Sequence, residues 1–226
     1  MANSALPLPS EASAVSEAPA AEPRKPAVRP RHAASLILLR ETAAGPEVLM
    51  GLRGAKARFM PNRLVFPGGR VDAGDTRLPA AREPGDITRA HLEKNANPAL
   101  ARALPRTAIR ELTEETGLEF GTPPDLSPLD YLCRAVTPSD QPIRFNARFL
   151  VAPADAARGT LGGSGELEGL RWFRVEDALA LDLARITRNV LEELTIWRGL
   201  PAEVRAAPRR TPWYRTYGGT RARSWE

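Results

Sequence analysis

The segment Arg110-Glu111-Leu112-Thr113-Glu114-Glu115-Thr116-Gly117-Leu118 carries the residue types and spacing best suited to chemistry in this 226-residue chain. On a helix, Glu111 lies one turn from both Glu114 and Glu115, so the carboxylates share one side. Carboxylates gathered this way repel one another unless a cation sits among them, and hard oxygen ligands in that number suit Mg²⁺ or Mn²⁺. Arg110, one turn before Glu114, is placed to hold it by a charge-assisted hydrogen bond. The plain alternative is a solvated acidic helix face. Other chemistries find little material. One cysteine, Cys133, makes neither an internal disulfide nor a Cys-based zinc site, and its apolar setting reads as core filling. His32 and His91 are the whole histidine complement, too few for zinc hydrolysis and in no setting for a Ser-His-Asp relay.

Flanking elements must hold those glutamates in place. Arg106 to Thr116 reads as the helix, with Pro105 in its first turn and Gly117 closing it. Ala33 to Arg40 reads as a buried strand, Glu41 to Pro46 as a turn, and Val48 to Leu52 as the second strand of a hairpin. A loop follows, through Phe59-Met60-Pro61-Asn62 to Phe66-Pro67-Gly68-Gly69. Residues 76–104 are polar and broken by Pro79, Pro84 and Pro98, with one short helix around Ile87 to Lys94. Tyr131 to Val136 and Arg144 to Val151 read as strands joined by a turn, and Leu170 to Phe173 as a short strand. Val175 to Leu181 and Ile186 to Trp197 read as helices, ended by Gly199 and Pro201. This order predicts a mixed α/β (α+β) sandwich, not a regular βαβ repeat.

Composition sets the outer limits. Hydrophobic residues at 42% supply a sizeable core. The longest strongly apolar run, Ala33 to Leu39, is far short of a bilayer span. Residues 1–23 hold Glu11, Glu17 and Glu22 and no Lys or Arg, which fits neither an export signal nor a mitochondrial presequence, so a cytoplasmic location is expected. Residues 1–30, rich in Ala, Pro, Ser and Glu, read as a disordered leader. A net charge of +5 favours anionic partners without choosing among them. Residues 201–226 read as a basic tail: Arg205, Arg209, Arg210, Arg215, Arg221 and Arg223 interleave with Trp213, Tyr214, Tyr217 and Trp225. Such a tail grips single-stranded nucleic acid, folds over the domain, or packs on a second copy in a homodimer. Nucleic acid is the less favoured, because stacking needs a shared groove.

Arg110 to Leu118 resembles the REUXEEXGU end of the Nudix box at every specified position, U being aliphatic. The box opens with Gly, five residues and Glu; here Gly69 is followed at that spacing by Asp75, after the family's usual Phe66-Pro67-Gly68. One departure stands out. Between Asp75 and Arg110 lie 34 residues (110 − 75 − 1) where the family has seven, an excess of 27 at about residues 76–102. The excess reads as an insertion and bears on Asp75, not on the three glutamates. Split boxes of this kind resemble the coenzyme A diphosphatase branch, as do Phe59-Met60-Pro61 and Arg144-Phe145-Asn146 with Phe149. The resemblance covers roughly residues 31–200 and implies a Nudix-type α/β/α sandwich around a mixed sheet.

It also implies a reaction: Mg²⁺- or Mn²⁺-dependent hydrolysis of the diphosphate bond in a nucleotide-linked small molecule. Glu111, Glu114 and Glu115 would be metal ligands and Arg110 the orienting residue. The base would be Glu114, or a loop glutamate before Trp172, Glu166 or Glu168; the bland alternative for the last two is surface charge. Leu49, Arg53, Arg58 and Phe66-Pro67-Gly68-Gly69 are spaced like an upstream coenzyme A signature, although Gly51, Gly54 and Asn62 depart from it. Arg53 and Arg58 would pair with phosphates, and Gly68 and Gly69 would let backbone approach the phosphates or the metal loop. Coenzyme A or an acyl derivative leads, with ADP-ribose, NADH and triphosphorylated RNA ends behind. A non-catalytic ligand sensor is the rival from another class; such modules commonly lose box acids, which are kept here.

Overall fold

The computed structural model describes residues 28–217 and 220–226, the side chains of Tyr217 and Arg221 excepted. Most of the expected leader, residues 1–27, lies outside them. β1 (Arg31–Thr42) and β2 (Gly45–Arg53) form the expected hairpin. Its turn is tighter than the sequence suggested: Thr42 Oγ1 accepts from the Ala44 amide and donates to the Gly45 carbonyl, and Gly45 takes a φ of 113°. β3 (Leu64–Val65), β4 (Gly68–Arg70), β5 (Asp130–Val136), β6 (Phe145–Pro153) and β7 (Leu167–Arg174) follow. With β8 (Pro212–Tyr217) and β9 (Thr220–Trp225) they make one sheet, ordered β3-β2-β1-β6-β5-β8-β9, with β4 on β1 and β7 on β2. β1 and β6 run parallel, as do β5 and β8; the other pairs are antiparallel, so the sheet is mixed.

Strand alternation sends successive β1 side chains to opposite faces. Ala34, Leu36 and Leu38 join Leu104, Ala108 and Leu112 of helix α2 (Pro98–Thr116) in one core cluster. Ile37 joins Val190, Leu191 and Leu194 of helix α4 (Arg185–Arg198) in the other. The expected sandwich therefore forms, α2 on one face and α4 on the other. Leu112 is fully buried, and truncating such a leucine to alanine costs about 2–5 kcal/mol.

Helix α2 corrects the sequence reading at its start. Asn97 caps it by accepting from the Leu100 amide at 2.8 Å, and Pro98 takes the first-turn place expected for Pro105. Pro105 lies inside the helix, where it withholds an amide from the Ala101 carbonyl. Burial of Leu104, Pro105 and Ala108 offsets that loss. The residues before α2 are folded too, as a 3₁₀ turn at Asp75–Arg77 and helix α1 (Asp86–Glu93). Arg106, 1% exposed, ties them down: it donates to Glu83 at 2.5 and 3.0 Å and to the Leu78 carbonyl at 2.7 Å.

The segment set apart as a basic tail belongs to the sheet. After α3 (Val175–Ala180), α4 and a short α5 (Ala202–Arg205), β8 adds to β5 in the register Arg134↔Trp213 and Ala135↔Tyr214. Glu226 takes hydrogen bonds from Tyr131, Arg134 and Asn95 at 2.5, 3.0 and 2.8 Å, and Glu193 takes them from Tyr214 and Arg223 at 2.5 and 2.8 Å. The Trp213 ring is covered by Arg134 and Arg215, and Trp225 by Arg223. Nucleobases would have to displace these cations to stack, which removes the tail's support for nucleic acid.

Candidate active site

Near its C-terminal end α2 runs beside β4, and two glycines decide how close they come. Gly68 has a φ of 152°, and a Cβ there would lie 2.4 Å from Ser35 Oγ and 2.6 Å from the Ala34 carbonyl. A Cβ on Gly69 would lie 2.3 Å from the Glu111 carboxyl carbon. Only glycines let these strand backbones meet β1 and α2 at this distance. The Gly68 amide donates to Glu115 Oε2 at 2.8 Å. Both glycines border the cavity, and their nearest charged neighbours are the protein's own carboxylates.

Arg110 organises the rest. Its Nε and one terminal nitrogen donate to Asp75 at 2.8 and 3.2 Å, the other lies 2.9 Å from both Glu111 and Glu114, and the Arg70 carbonyl accepts at 3.2 Å. Asp75 is 2% exposed. Burial works against its charge, yet hydrogen bonds from Arg110, the Asp72 amide and Thr107 hold its carboxyl below the usual range. Asp75 and Arg110, 35 positions apart, therefore meet directly.

Glu111 and Glu115 reach a cavity of about 900 Å³. Burial pushes both carboxyls up. Glu115 rises to about 7, helped by the nearby charges of Glu111 and Glu166 and opposed by the Gly68 amide and Arg53. Glu111 rises in spite of Arg110, with Glu114 and Glu166 adding to the effect. Among the described residues no three acidic, His or Cys side chains stand ready as a metal-holding group; Arg110 claims Glu111 and Glu114, and the Gly68 amide claims Glu115. The donor chemistry still fits a hard divalent cation: Glu111, Glu115 and Glu166 offer oxygens of one sign to one cavity, and the charges of Glu111 and Glu166 add to burial in raising Glu115.

The structure separates the remaining expected residues. Glu166 and Arg53 line the cavity; Glu168 and Arg58 do not, and both are exposed. Glu114 points to Arg110, with its side chain 55% exposed, and is also absent from the wall. The cavity floor went unread in the sequence. Ala33, Ala147 and Ala135 sit side by side on β1, β6 and β5, and the row ends at Tyr214 on β8. Small residues in register on one face leave room where leucines would fill it; the signal was alternation of small with large side chains on paired strands. Phe59 and Phe145 close one side as an edge-to-face pair at 4.9 Å.

Comparison with known proteins accounts for this arrangement. Residues 102–194 match the NUDIX domain model, a stretch that takes in all three helix glutamates and Arg110. The crystal structure of a NUDIX hydrolase from Alicyclobacillus acidocaldarius superposes with a TM-score of 0.60 at 26% identity, covering 79% of this chain and 96% of that one. Both likenesses are to Nudix proteins. The NUDIX domain of Shewanella oneidensis NrtR, solved with ADP ribose, shares the fold at 16% identity and a TM-score of 0.50, over 75% of this chain and 88% of that one. The Caenorhabditis elegans protein described as nudix hydrolase 7 is 41% identical over 88 residues, 39% of this chain. The match spans 22% of that protein's length. The Nudix match opens inside α2, so Gly69 and Asp75 join the site through geometry alone.

Proposed function

We propose that this Nudix domain hydrolyses the diphosphate bond of a nucleoside-diphosphate-linked metabolite with Mg²⁺ or Mn²⁺, coenzyme A or an acyl-coenzyme A being the leading substrate. The observation that carries the reading is the joining of Asp75, Arg110, Glu111 and Glu114 into one network, with Glu111 and Glu115 facing the cavity. Glu111 and Glu115, with Glu166 beside them, would hold the cation. When bound, it polarises the phosphoryl oxygens and offsets the charge that develops on them.

The chain's own residues do the rest. Arg110 fixes Glu111 against the Gly69 backbone, so the carboxylate does not reorient as charge develops. Glu166 is the base this reading prefers, since it faces the cavity and Glu168 does not. It takes a proton from water as the water oxygen bonds to phosphorus; the bridging P–O bond breaks, and its electron pair leaves with the departing phosphate. Arg53 on the same wall pairs with the diphosphate. The upstream coenzyme A signature is half supported, through Arg53 and not through Arg58.

The residues in excess of the box length are read as an insertion. No residue from 71 to 110 lines the cavity, so the added chain leaves the site open, which favours an enzyme over a sensor. Among the described residues no helix is long and apolar enough to cross a membrane; a cytoplasmic setting completes the proposal. The test is a product assay. Purified protein with Mg²⁺ or Mn²⁺ meets coenzyme A, acetyl-coenzyme A, ADP-ribose, NADH and triphosphorylated RNA, with products identified by mass. Release of 3′,5′-ADP and a phosphopantetheine is expected; metal-independent cleavage, or none with any substrate, counts against the reaction.

A further inference from the structure

The far wall of the cavity is built by the first turn of α4. Helices α2 and α4 cover opposite faces of the sheet, so the carboxylates and this turn enter the cavity from different sides. The turn is uncapped: Ala184 occupies the cap position without a side-chain acceptor, and the amides of Arg185, Ile186 and Thr187 have no partner among the described residues. Such amides and the helix dipole favour an anion. A second observation is independent of the helix end. Thr187 is only 4% exposed, its hydroxyl makes no hydrogen bond among the described residues, and it borders the cavity. The side chain is buried while its unpartnered hydroxyl stays open to the cavity, where an entering ligand can bond it. Arg185 stands beside it with an exposed guanidinium, and Arg188 is held by the Leu179 and Leu181 carbonyls at 2.8 and 3.1 Å.

We infer that the first turn of α4, with the Thr187 hydroxyl and the Arg185 guanidinium, is a second anion subsite. It takes a phosphomonoester that the substrate carries apart from its scissile diphosphate. The inference rests on the proposed reaction for the placing of the diphosphate at the carboxylate wall. It adds a basis for selection: nucleotides with an extra phosphate on the sugar gain contacts that simple ADP derivatives lack. Amides, hydroxyl and guanidinium together suit a tetrahedral oxyanion.

Calorimetric titration of the full chain with 3′,5′-ADP and with 5′-AMP tests this without turnover. Wild type is expected to bind 3′,5′-ADP about tenfold more tightly than 5′-AMP, the scale of one charge-assisted contact. Thr187→Val, nearly equal in shape, should lose most of that advantage, and Thr187→Ser, which keeps the hydroxyl, should retain it. Equal affinities in wild type, no binding of either nucleotide, or an advantage untouched in Thr187→Val and in Arg185→Gln would overturn the subsite. Turnover of coenzyme A and of its 3′-dephospho form is measured alongside. A binding advantage with no turnover removes the reaction and keeps the subsite. Turnover of both forms at equal kcat/KM, with no binding advantage, removes the subsite and keeps the reaction.

Discussion

Two carboxylate–arginine networks hold this fold together, and they differ in how completely their charges are matched. Around Glu226 and Glu193 every carboxylate oxygen has a donor: Tyr131, Arg134 and Asn95 for one residue, Tyr214 and Arg223 for the other. Around Arg110 one guanidinium serves Asp75, Glu111 and Glu114, while Glu115 has only the Gly68 amide. The first network closes on itself and fastens a hairpin. The second leaves negative charge facing a cavity, which is the condition for binding a cation. Shared residue chemistry thus closes a structural contact in one place and lines a candidate site in the other, and the surplus charge tells them apart.

That contrast breaks first if the closed network proves dispensable. Glu226→Ala leaves Arg134 and Tyr131 buried without their acceptor, and should cost about 3–5 kcal/mol of unfolding free energy in urea titrations. Activity per folded molecule should survive. Glu115→Gln should do the reverse: turnover falls by about two to three orders of magnitude, while the melting temperature does not fall, because burial already disfavours that charge. A large stability loss in this variant would erase the distinction between the networks. Arg53→Gln should raise KM about tenfold, the scale of one lost phosphate contact, whereas Arg58→Gln, outside the cavity, should stay within about twofold. Equal effects would return Arg58 to the substrate.

The smallest effect is silent at neutral pH. His91 is buried and stacked on Tyr131; burial first, then Lys94 and Arg209, lower its pKa to about 4. Its folded pKa lies below the ordinary histidine value of 6.5, so the unfolded chain takes up its proton first on acidification. The stabilisation is complete above pH 6.5 and is lost as pH falls from there towards about 4. Melting temperature against pH should show this decline, and His91→Gln should flatten it.

The glutamate helix, the hairpin and the layering were legible because each rests on local spacing: carboxylates one turn apart, alternating apolar strands, and Gly117 in the left-handed region with a φ of 72°. The start of α2 was misread because Pro98 and Pro105 both suit a first turn, and the Asn97 cap decided between them. The β8–β9 hairpin was illegible for another reason. Its arginines and aromatics look like a binding tail until Glu193 and Glu226, distant in sequence, are seen to receive them. Glu166 was legible as a candidate base, but nothing in the sequence separated it from Glu168. Its place on the wall depends on β7 pairing with β2 with a register shift between Met50 and Leu52, which no local pattern announces.

The meeting of Asp75 and Arg110 has a consequence for how such a chain varies over time. What the site requires is a carboxylate delivered to Arg110, not a fixed length of chain delivering it. The stretch between them carries its own anchor in Arg106 and Glu83 and borders no part of the cavity. On the proposed reaction, that stretch could grow, shrink or take on an unrelated task, provided both ends still arrive. A search that demands constant spacing would lose descendants in which nothing chemical had changed. Here the family match opens only at residue 102, beyond most of that stretch.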